Sequence, residues 1–136
     1  MVEITSGLRP GLTGEAQMIV TEAVSAIHLG SGSVPVFGTP AMIQLMEMAT
    51  VAAVDPHLSP GQVSVGMDIE VSHVAATPLG MTVRARAEVV DMDERRVTLR
   101  VKAYDEVERI GEGTIQRVVV DRDRFTERVA RKSSAR

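Results

Sequence analysis

The sequence contains no cysteine among its 136 residues. Disulfide bonds, thiolate nucleophiles and cysteine-ligated zinc sites are therefore excluded for this chain. Aromatic residues make up only 2%, and the formal net charge is -3, which disfavours nucleic-acid binding because that function favours a basic surface and stacking rings. No apolar run approaches the ~20 residues of a membrane span, and the N-terminus lacks a signal-peptide pattern. We expect a cytoplasmic protein that binds neither nucleic acid nor membranes.

The remaining composition suits one folded domain. Hydrophobic residues make up 44% of the chain, which is enough for a core at this length. The sequence has no repeat of fixed period and no Pro-rich or Gly-rich linker that would separate two domains. We predict a single domain over residues 1–125, followed by a basic tail at 126–136 that is disordered or frayed.

One helix has clear predicted ends. Thr39 precedes a proline, a pair that is typical of a helix start with threonine as N-cap and proline at the first helical position. An Asp-Pro pair at 55–56 ends the pattern. Between them only Gln44, Glu47 and Thr50 are polar in fourteen residues. The helix is therefore predicted to be covered on most sides.

Alternation of apolar and polar residues predicts the strands. One strand precedes the helix at 14–21, and a four-stranded antiparallel meander follows it, with strands at 62–73, 83–89, 97–103 and 109–120. In the strand at 62–73, one face should carry every second residue: Val63, Val65, Met67, Ile69, Val71 and His73. Such a sheet must curl around the single apolar helix, which is the α+β hot-dog arrangement. Its exposed edge strand predicts a homodimer or a larger assembly.

Three residues are candidates for chemistry. His73 should point towards the buried helix, where a histidine is either a hydrogen-bonded core residue or an acid-base group. Glu47 lies in an apolar helix, where an unpaired carboxylate is costly; it either belongs to a narrow solvated stripe or pairs with His73 and orients the imidazole. Thr39 caps the helix, and the free N–H groups there could also stabilise an oxyanion.

The other candidates are weaker. Arg117 shares a strand face with apolar residues, so it either extends to solvent or answers a buried or bound negative charge. His28 and His57 fall in or beside loops and show no metal-ligand spacing with His73. We therefore expect no metal site and no cofactor.

Several motifs resemble the fluoroacetyl-CoA thioesterase family of the hot-dog superfamily. They are ValPheGlyThrPro at 36–40, LeuMetGluMetAla at 45–49, the stretch from GlyMetAsp to ThrProLeuGly at 66–80, and GlyGluGlyThrIleGlnArg at 111–117. The similarity covers roughly residues 10–125, and the Thr, Glu and His have the family's separations of eight and twenty-six residues.

The resemblance implies a thioesterase that hydrolyses a small acyl-CoA with Thr39, Glu47 and His73 as catalytic triad. In this scheme Thr39 polarises or positions the reacting group, Glu47 attacks or orients water, and His73 is the acid-base group. The resemblance also implies that Gly66 and Arg117 contact the substrate, and Phe37 in the first motif is the third substrate-binding residue that we predict.

One segment departs from the family pattern. The family's fluoroacetyl-selective member has a longer loop with aromatic lid residues, whereas residues 30–35 here read GlySerGlySerValPro. A shorter polar loop predicts a more open pocket, so the acyl group can be fluoroacetyl or another small acyl chain. Whether CoA or a carrier protein bears the acyl group is open. The alternative functions are a hot-dog acyl-thioester hydratase or dehydratase and a non-catalytic acyl-CoA or small-ligand binding module.

Overall fold

A computed structural model describes residues 7–136 of the chain. The first six residues, which the predicted domain includes, lie outside the described part. Within the described part of the chain, five strands and three α-helices follow one another: β1 (Thr13–Ile19), α1 (Ala26–Leu29), α2 (Thr39–Val54), β2 (Gln62–His73), β3 (Thr82–Asp93), β4 (Arg96–Tyr104), β5 (Arg109–Asp121) and α3 (Arg122–Ala135). Two short 3-10 helices, Glu22–Val24 and Asp55–His57, lie between them. Within residues 7–136, every helix is too short or too polar to cross a membrane.

The five strands form one antiparallel sheet in the order β1-β3-β4-β5-β2. The predicted four-stranded meander is therefore wrong in one respect. Only β3, β4 and β5 are consecutive neighbours, whereas β2 crosses to the far side of β5 and forms an edge. The alternation pattern defines where strands lie along the chain, but it carries no information about which strand is the neighbour.

The sheet curls around α2, as predicted for an α+β fold. The alternating positions of β3 and β4 that face α2 have no solvent exposure: Val83, Ala85, Ala87, Val89, Val97, Leu99, Val101 and Ala103. Gly14 of β1 explains how closely the sheet approaches the helix. A Cβ on Gly14 would run into the backbone of α2 at Ala49 and Ala53. Burial of these apolar faces is the main favourable term in the stability of the fold.

A β-bulge interrupts β2 between Gly66 and Asp68. An extra residue reverses the alternation, because side chains of a strand change face with each residue. Ser64 and Gly66 therefore face α2 before the bulge, and Ile69, Val71 and His73 face it afterwards. The prediction of one uninterrupted face was wrong for Val63 and Val65, yet it was right for His73.

The N-cap of α2 is Gly38, and Thr39 is the first residue of the helix. No side-chain hydrogen bond caps this end of α2. The prediction that Thr39 caps the helix was therefore wrong. The reason is that its hydroxyl group has a different partner, described below.

The chain ends in a helix where a frayed tail was expected. Helix α3 runs from Arg122 to Ala135, and the carboxylate of Asp121 accepts a hydrogen bond from the backbone N–H of Arg124 at 3.0 Å. A Glu127–Arg131 ion pair spans one turn at 3.6 Å. A side-chain cap and such i,i+4 pairs favour a helix even when little of it is buried. The domain boundary at residue 125 stays a prediction.

Candidate functional site

Thr39 and His73 form a hydrogen-bonded pair. The distance from Thr39 Oγ1 to His73 Nδ1 is 2.8 Å. The start of α2 supplies the hydroxyl group and the end of β2 supplies the imidazole. A hydroxyl group that contacts an imidazole nitrogen at this distance is the arrangement of an activated or oriented nucleophile and its base.

The second nitrogen of the His73 ring is poised for another contact. Among the described residues, His73 Nε2 is buried and has no hydrogen-bond partner. Burial lowers the pKa of His73 below its ordinary value, and the backbone of Ala75 opposes this shift more weakly. The Phe37 ring lies edge-on to the imidazole with a centroid distance of 6.5 Å. The lowered pKa favours the neutral form of the imidazole, and Thr39 contacts its Nδ1.

This pair lines a cavity of about 320 Å³. Its walls are formed by α1, the loop before α2 and the loop after β2: Ala26, Ser31, Gly32, Val34, Val36, Phe37, Thr39, His73, Val74, Ala75 and Ala76. The lining is mostly small and apolar, with few polar groups to fix a ligand. Such a composition is typical of a binding pocket for a small organic group.

Glu47 lies at a different concavity, of about 380 Å³, which is lined by Glu47, Gly66, Met67, Asp68 and Ile69. A Cβ on Gly66 would lie only 2.9 Å from Glu47 Oε2. The absence of a side chain at Gly66 therefore leaves room for the carboxylate. The Glu47 side chain is 38% exposed, so it is open to a ligand or to water.

Arg117 lies beneath Glu47 and is 5% exposed. Its Nε donates to Ser64 Oγ at 2.7 Å, its Nη2 to the Ser64 carbonyl at 2.9 Å, and its Nη1 to Thr50 Oγ1 at 3.4 Å. Nη1 also lies 3.7 Å from Glu47 Oε2. Burial lowers the pKa of Arg117, whereas the negative charges of Asp55 and, to a smaller extent, Glu47 raise it. The sequence-based expectation that Arg117 answers a negative charge therefore agrees with its surroundings.

The six predicted site residues thus form two groups within one chain. Thr39, His73 and Phe37 line the first cavity, whereas Glu47 and Gly66 line the second and have the buried Arg117 beside them. The expected pairing of Glu47 with His73 is wrong within a single chain. Each has another partner, Arg117 and Thr39 respectively.

Comparisons with known proteins identify the family. A family model described as FlK, fluoroacetyl-CoA-specific thioesterase, matches residues 20–123. A fluoroacetyl-CoA thioesterase from Streptantibioticus cattleyicolor is 45% identical over 100 residues, which cover 74% of this chain and 72% of that protein. The chain belongs to the fluoroacetyl-CoA-specific thioesterase family.

Solved structures agree with this assignment and confirm the hot-dog fold. The fluoroacetyl-CoA thioesterase FlK superposes with a TM-score of 0.86 at 38% identity, over 93% of this chain and 98% of that one. A thioesterase superfamily member of Thermus thermophilus has a TM-score of 0.86 at 26% identity, over 97% and 100% of the two chains. A hot-dog-like protein from Thermanaerovibrio acidaminovorans has a TM-score of 0.83 at 27% identity, over 92% and 93%.

Three residues around Arg117 were not singled out as site residues from the sequence: Asp55, Ser64 and Thr50. Ser64 donates to Asp55 Oδ1 at 2.5 Å and accepts from Arg117. Thr50, one of the three polar residues of the predicted helix, is fully buried and lies beside the Arg117 guanidinium group. A charged residue at the end of a helix that contains no other charged residue but Glu47 was the available signal for Asp55. The contribution of Ser64 depends on the bulge, for which the isolated Gly66 within the strand pattern was the available signal.

The described residues of this family member also bear on metal binding. Within residues 7–136, no group of three or more His, Cys, Asp or Glu side chains is arranged to hold a metal ion.

Proposed function

We propose that this protein hydrolyses a small acyl-CoA to the free acid and CoA, with Thr39, Glu47 and His73 as its catalytic triad. The observation that carries the proposal is the hydrogen bond between Thr39 and His73 at the mouth of a small apolar cavity. Family membership supports the same chemistry, because the relative from Streptantibioticus cattleyicolor is a fluoroacetyl-CoA thioesterase.

In this proposal the neutral imidazole of His73 is the general base. It accepts a proton either from the Thr39 hydroxyl group or from a water molecule, and the new C–O bond forms as the C–S bond breaks. The CoA thiolate leaves and is protonated by the imidazolium group. If Thr39 is the attacking group, the acyl group is then an ester on its oxygen. A water molecule that gives its proton to His73 attacks this ester, the bond between the acyl carbon and the Thr39 oxygen breaks, and that oxygen regains a proton from His73 as the free acid leaves. Glu47 orients the attacking water and stabilises the charge that develops on His73. Rapid quenching followed by intact-protein mass spectrometry separates the two routes, because only attack by Thr39 gives an acylated chain.

We further propose that the working unit is a homodimer formed through β2. Strand β2 is an edge of the sheet, and it exposes Met67 and Ile69. An unpaired strand edge with apolar side chains is a template for pairing with a second copy. Met48 of α2 is also 44% exposed, and contact with a second copy would bury this apolar side chain.

A dimer of this kind would unite the two groups of site residues. Glu47 lies eight residues after Thr39, which corresponds to about 12 Å along the helix axis. Gly66 and His73 are about 20 Å apart along β2. Antiparallel pairing of two β2 strands about an axis between Ile69 and Glu70 would set Gly66 of one copy opposite His73 of the other. The Glu47 that contacts this Gly66 would then face the Thr39–His73 pair across the interface.

The acyl group is proposed to be small, and Phe37 and Arg117 are proposed to contact the substrate. Phe37 forms part of the cavity wall beside His73, and Arg117 supplies a positive charge beside Gly66. The loop at 30–35 is exposed throughout, so it leaves the cavity open and permits acyl groups besides fluoroacetyl. The cytoplasmic location stays a prediction from the sequence.

The first experiment measures thiol release from fluoroacetyl-CoA, acetyl-CoA and longer acyl-CoAs. The purified protein should release CoA, and Glu47→Gln and His73→Ala should each lower kcat/KM by ~10² to 10⁴. Glu15→Gln and His28→Ala are the matched controls, since both residues are exposed and neither lines the two cavities. Circular dichroism verifies that each variant is folded.

Other outcomes would point to the alternative functions. Binding of acetyl-CoA without thiol release would favour a binding module. Addition of water to a crotonyl-CoA double bond without thiol release would favour a hydratase. Full hydrolysis by the folded Glu47→Gln variant would contradict the proposed triad.

Mixing of two inactive variants tests the composite site. Glu47→Gln and Thr39→Ala homodimers are unfolded together in denaturant and refolded at equal concentration. If each site takes Thr39 from one copy and Glu47 from the other, half of the dimers are mixed and one of their two sites is complete. About a quarter of parent activity should return. No recovery would place the whole site in one chain.

A further inference from the structure

Arg117 is a buried cation with two acidic neighbours of different kinds. Asp55 reaches it through Ser64, whereas Glu47 faces it directly at 3.7 Å. Arg117 and Glu47 therefore form an ion pair, but they lack the short contact of about 2.8 Å that a hydrogen-bonded guanidinium and carboxylate adopt. The guanidinium group therefore has its strongest contacts on the side away from Glu47.

Ser64 is the centre of these contacts. Its hydroxyl group accepts from Arg117 Nε at 2.7 Å and donates to Asp55 Oδ1 at 2.5 Å, while its carbonyl accepts from Nη2 at 2.9 Å. Both hydroxyl contacts involve an ionised group, which strengthens them relative to neutral hydrogen bonds. Ser64 is 7% exposed, so water competes little with these bonds. The arrangement fixes the plane and direction of the guanidinium group.

Asp55 occupies a position that is unfavourable for the helix alone. It directly follows α2, where the carbonyl ends give the helix terminus a partial negative charge. A carboxylate at this end is unfavourable for α2, although Asp55 also begins a short 3-10 helix, Asp55–His57, whose N-terminus favours an acidic residue. The compensating group is Arg117, and the negative charge of Asp55 is the larger of the two that raise the pKa of this arginine.

We propose that Asp55 and Ser64 are positioning residues that hold Arg117 back from Glu47, which keeps the Glu47 carboxylate free for the thioester reaction. The inference rests on the proposed function of Glu47. Without the charge of Asp55, the buried guanidinium group would be compensated by Glu47 alone. Glu47 would then close onto Arg117 and turn away from the opening beside Gly66.

Two substitutions separate the effect of the negative charge of Asp55 from the effect of the Ser64 hydroxyl group, which connects Asp55 to Arg117. Asp55→Asn keeps a side-chain acceptor for Ser64 but removes the charge, whereas Ser64→Ala keeps the charge but removes the hydroxyl link. Ser64→Thr restores a hydroxyl group and is the rescue variant. Asp91→Asn and Ser133→Ala are the matched controls, because both residues are exposed, on β3 and α3 respectively.

The structural measurement is the distance from Arg117 Nη1 to Glu47 Oε2 in crystals of the parent and variants. In Asp55→Asn it should shorten from 3.7 Å to about 2.8 Å. The kinetic measurement uses acetyl-CoA and fluoroacetyl-CoA as probes. Asp55→Asn and Ser64→Ala should lower kcat by ~10-fold with KM changed by less than about two-fold, because an interaction that matters only in the transition state is lost. Ser64→Thr should recover most of kcat.

The two measurements keep this inference distinct from the proposed function. An unchanged distance in Asp55→Asn would overturn the inference, whatever the activity. A shortened distance with parent kcat would also overturn it, since Glu47 would then work in either position. If the parent releases no CoA from any thioester, the proposed function fails, and the distance alone decides whether Asp55 and Ser64 hold Arg117. A lower melting temperature with parent kcat would leave these residues a structural role only and would overturn the inference.

Discussion

Gly66→Ala should disturb catalysis while leaving the fold intact. The new Cβ would lie 2.9 Å from Glu47 Oε2 and 3.7 Å from Arg117 Nη1. An ordinary contact between carbon and oxygen is about 3.4 Å, so the carboxylate must retreat by about 0.5 Å. Since a displacement of about 1 Å at a reacting group can cost ~10²-fold in rate, we expect kcat to fall by ~10-fold.

The stability of the same variant should be unchanged or slightly higher. The only short contact is with the end of a flexible side chain, and the backbone of Gly66 is not in the left-handed region. Replacement of glycine by alanine then reduces the entropy of the unfolded chain, which is worth about 0.4–1 kcal/mol. Thermal unfolding should therefore show a melting temperature at or above that of the parent.

The assay is steady-state release of CoA, with kcat and KM determined separately. Displacement of Glu47 lowers kcat, whereas a Cβ that only fills substrate space raises KM. Gly7→Ala is the control, because its nearest new contact is an ordinary 3.7 Å. A folded Gly66→Ala protein with parent kcat and KM would refute the placement of Glu47 in the working site.

Three further predictions concern the Thr39–His73 pair and the sheet. Thr39→Ser should retain most of kcat, and Thr39→Val should lose most of it. In both variants the free energy of unfolding should change by less than about 0.5 kcal/mol, because the side chain caps no helix. Steady-state kinetics and thermal unfolding check these two points. Burial lowers the pKa of His73, so kcat/KM should fall with decreasing pH at an inflection below about 6.5. As pH falls through this range the unfolded chain binds the proton first, and the free energy of unfolding should therefore decrease as well; a rate profile and melting temperatures between pH 5 and 8 measure this. Gly113→Ala should fail to give folded protein, since its Cβ would strike the backbone of β2, and soluble yield with circular dichroism tests it.

Local patterns predicted the elements of this fold well. The limits of α2 follow from a Thr-Pro start and an Asp-Pro end, which act through backbone sterics within a few residues. The buried faces of β3 and β4 follow from strict alternation, because every residue on one side meets α2. These features depend on neighbours in the sequence, so the sequence alone sufficed to predict them.

Features that depend on distant neighbours were not predictable in the same way. The placement of β2 beside β5 depends on a crossover, and no local signal distinguishes it from a meander. The hydroxyl group of Thr39 bonds to a residue thirty-four positions away, so the local capping preference was overridden. Of the two alternatives for Arg117, its surroundings favour the one in which it answers a negative charge, but Asp55 and Ser64 enter these surroundings only once β2 and β5 pair.

The bulge in β2 is the feature on which the site depends most. Gly66 and His73 are seven residues apart, an odd separation that would put them on opposite faces of a regular strand. The extra residue at the bulge makes the separation effectively even, so both face α2. Without the bulge, Gly66 and His73 would lie on opposite faces of β2. Either Glu47 would then face a neighbouring side chain in place of Gly66, or His73 would point away from Thr39. The bulge therefore lets one strand serve both groups of site residues, and an antiparallel partner strand could then bring the two groups together.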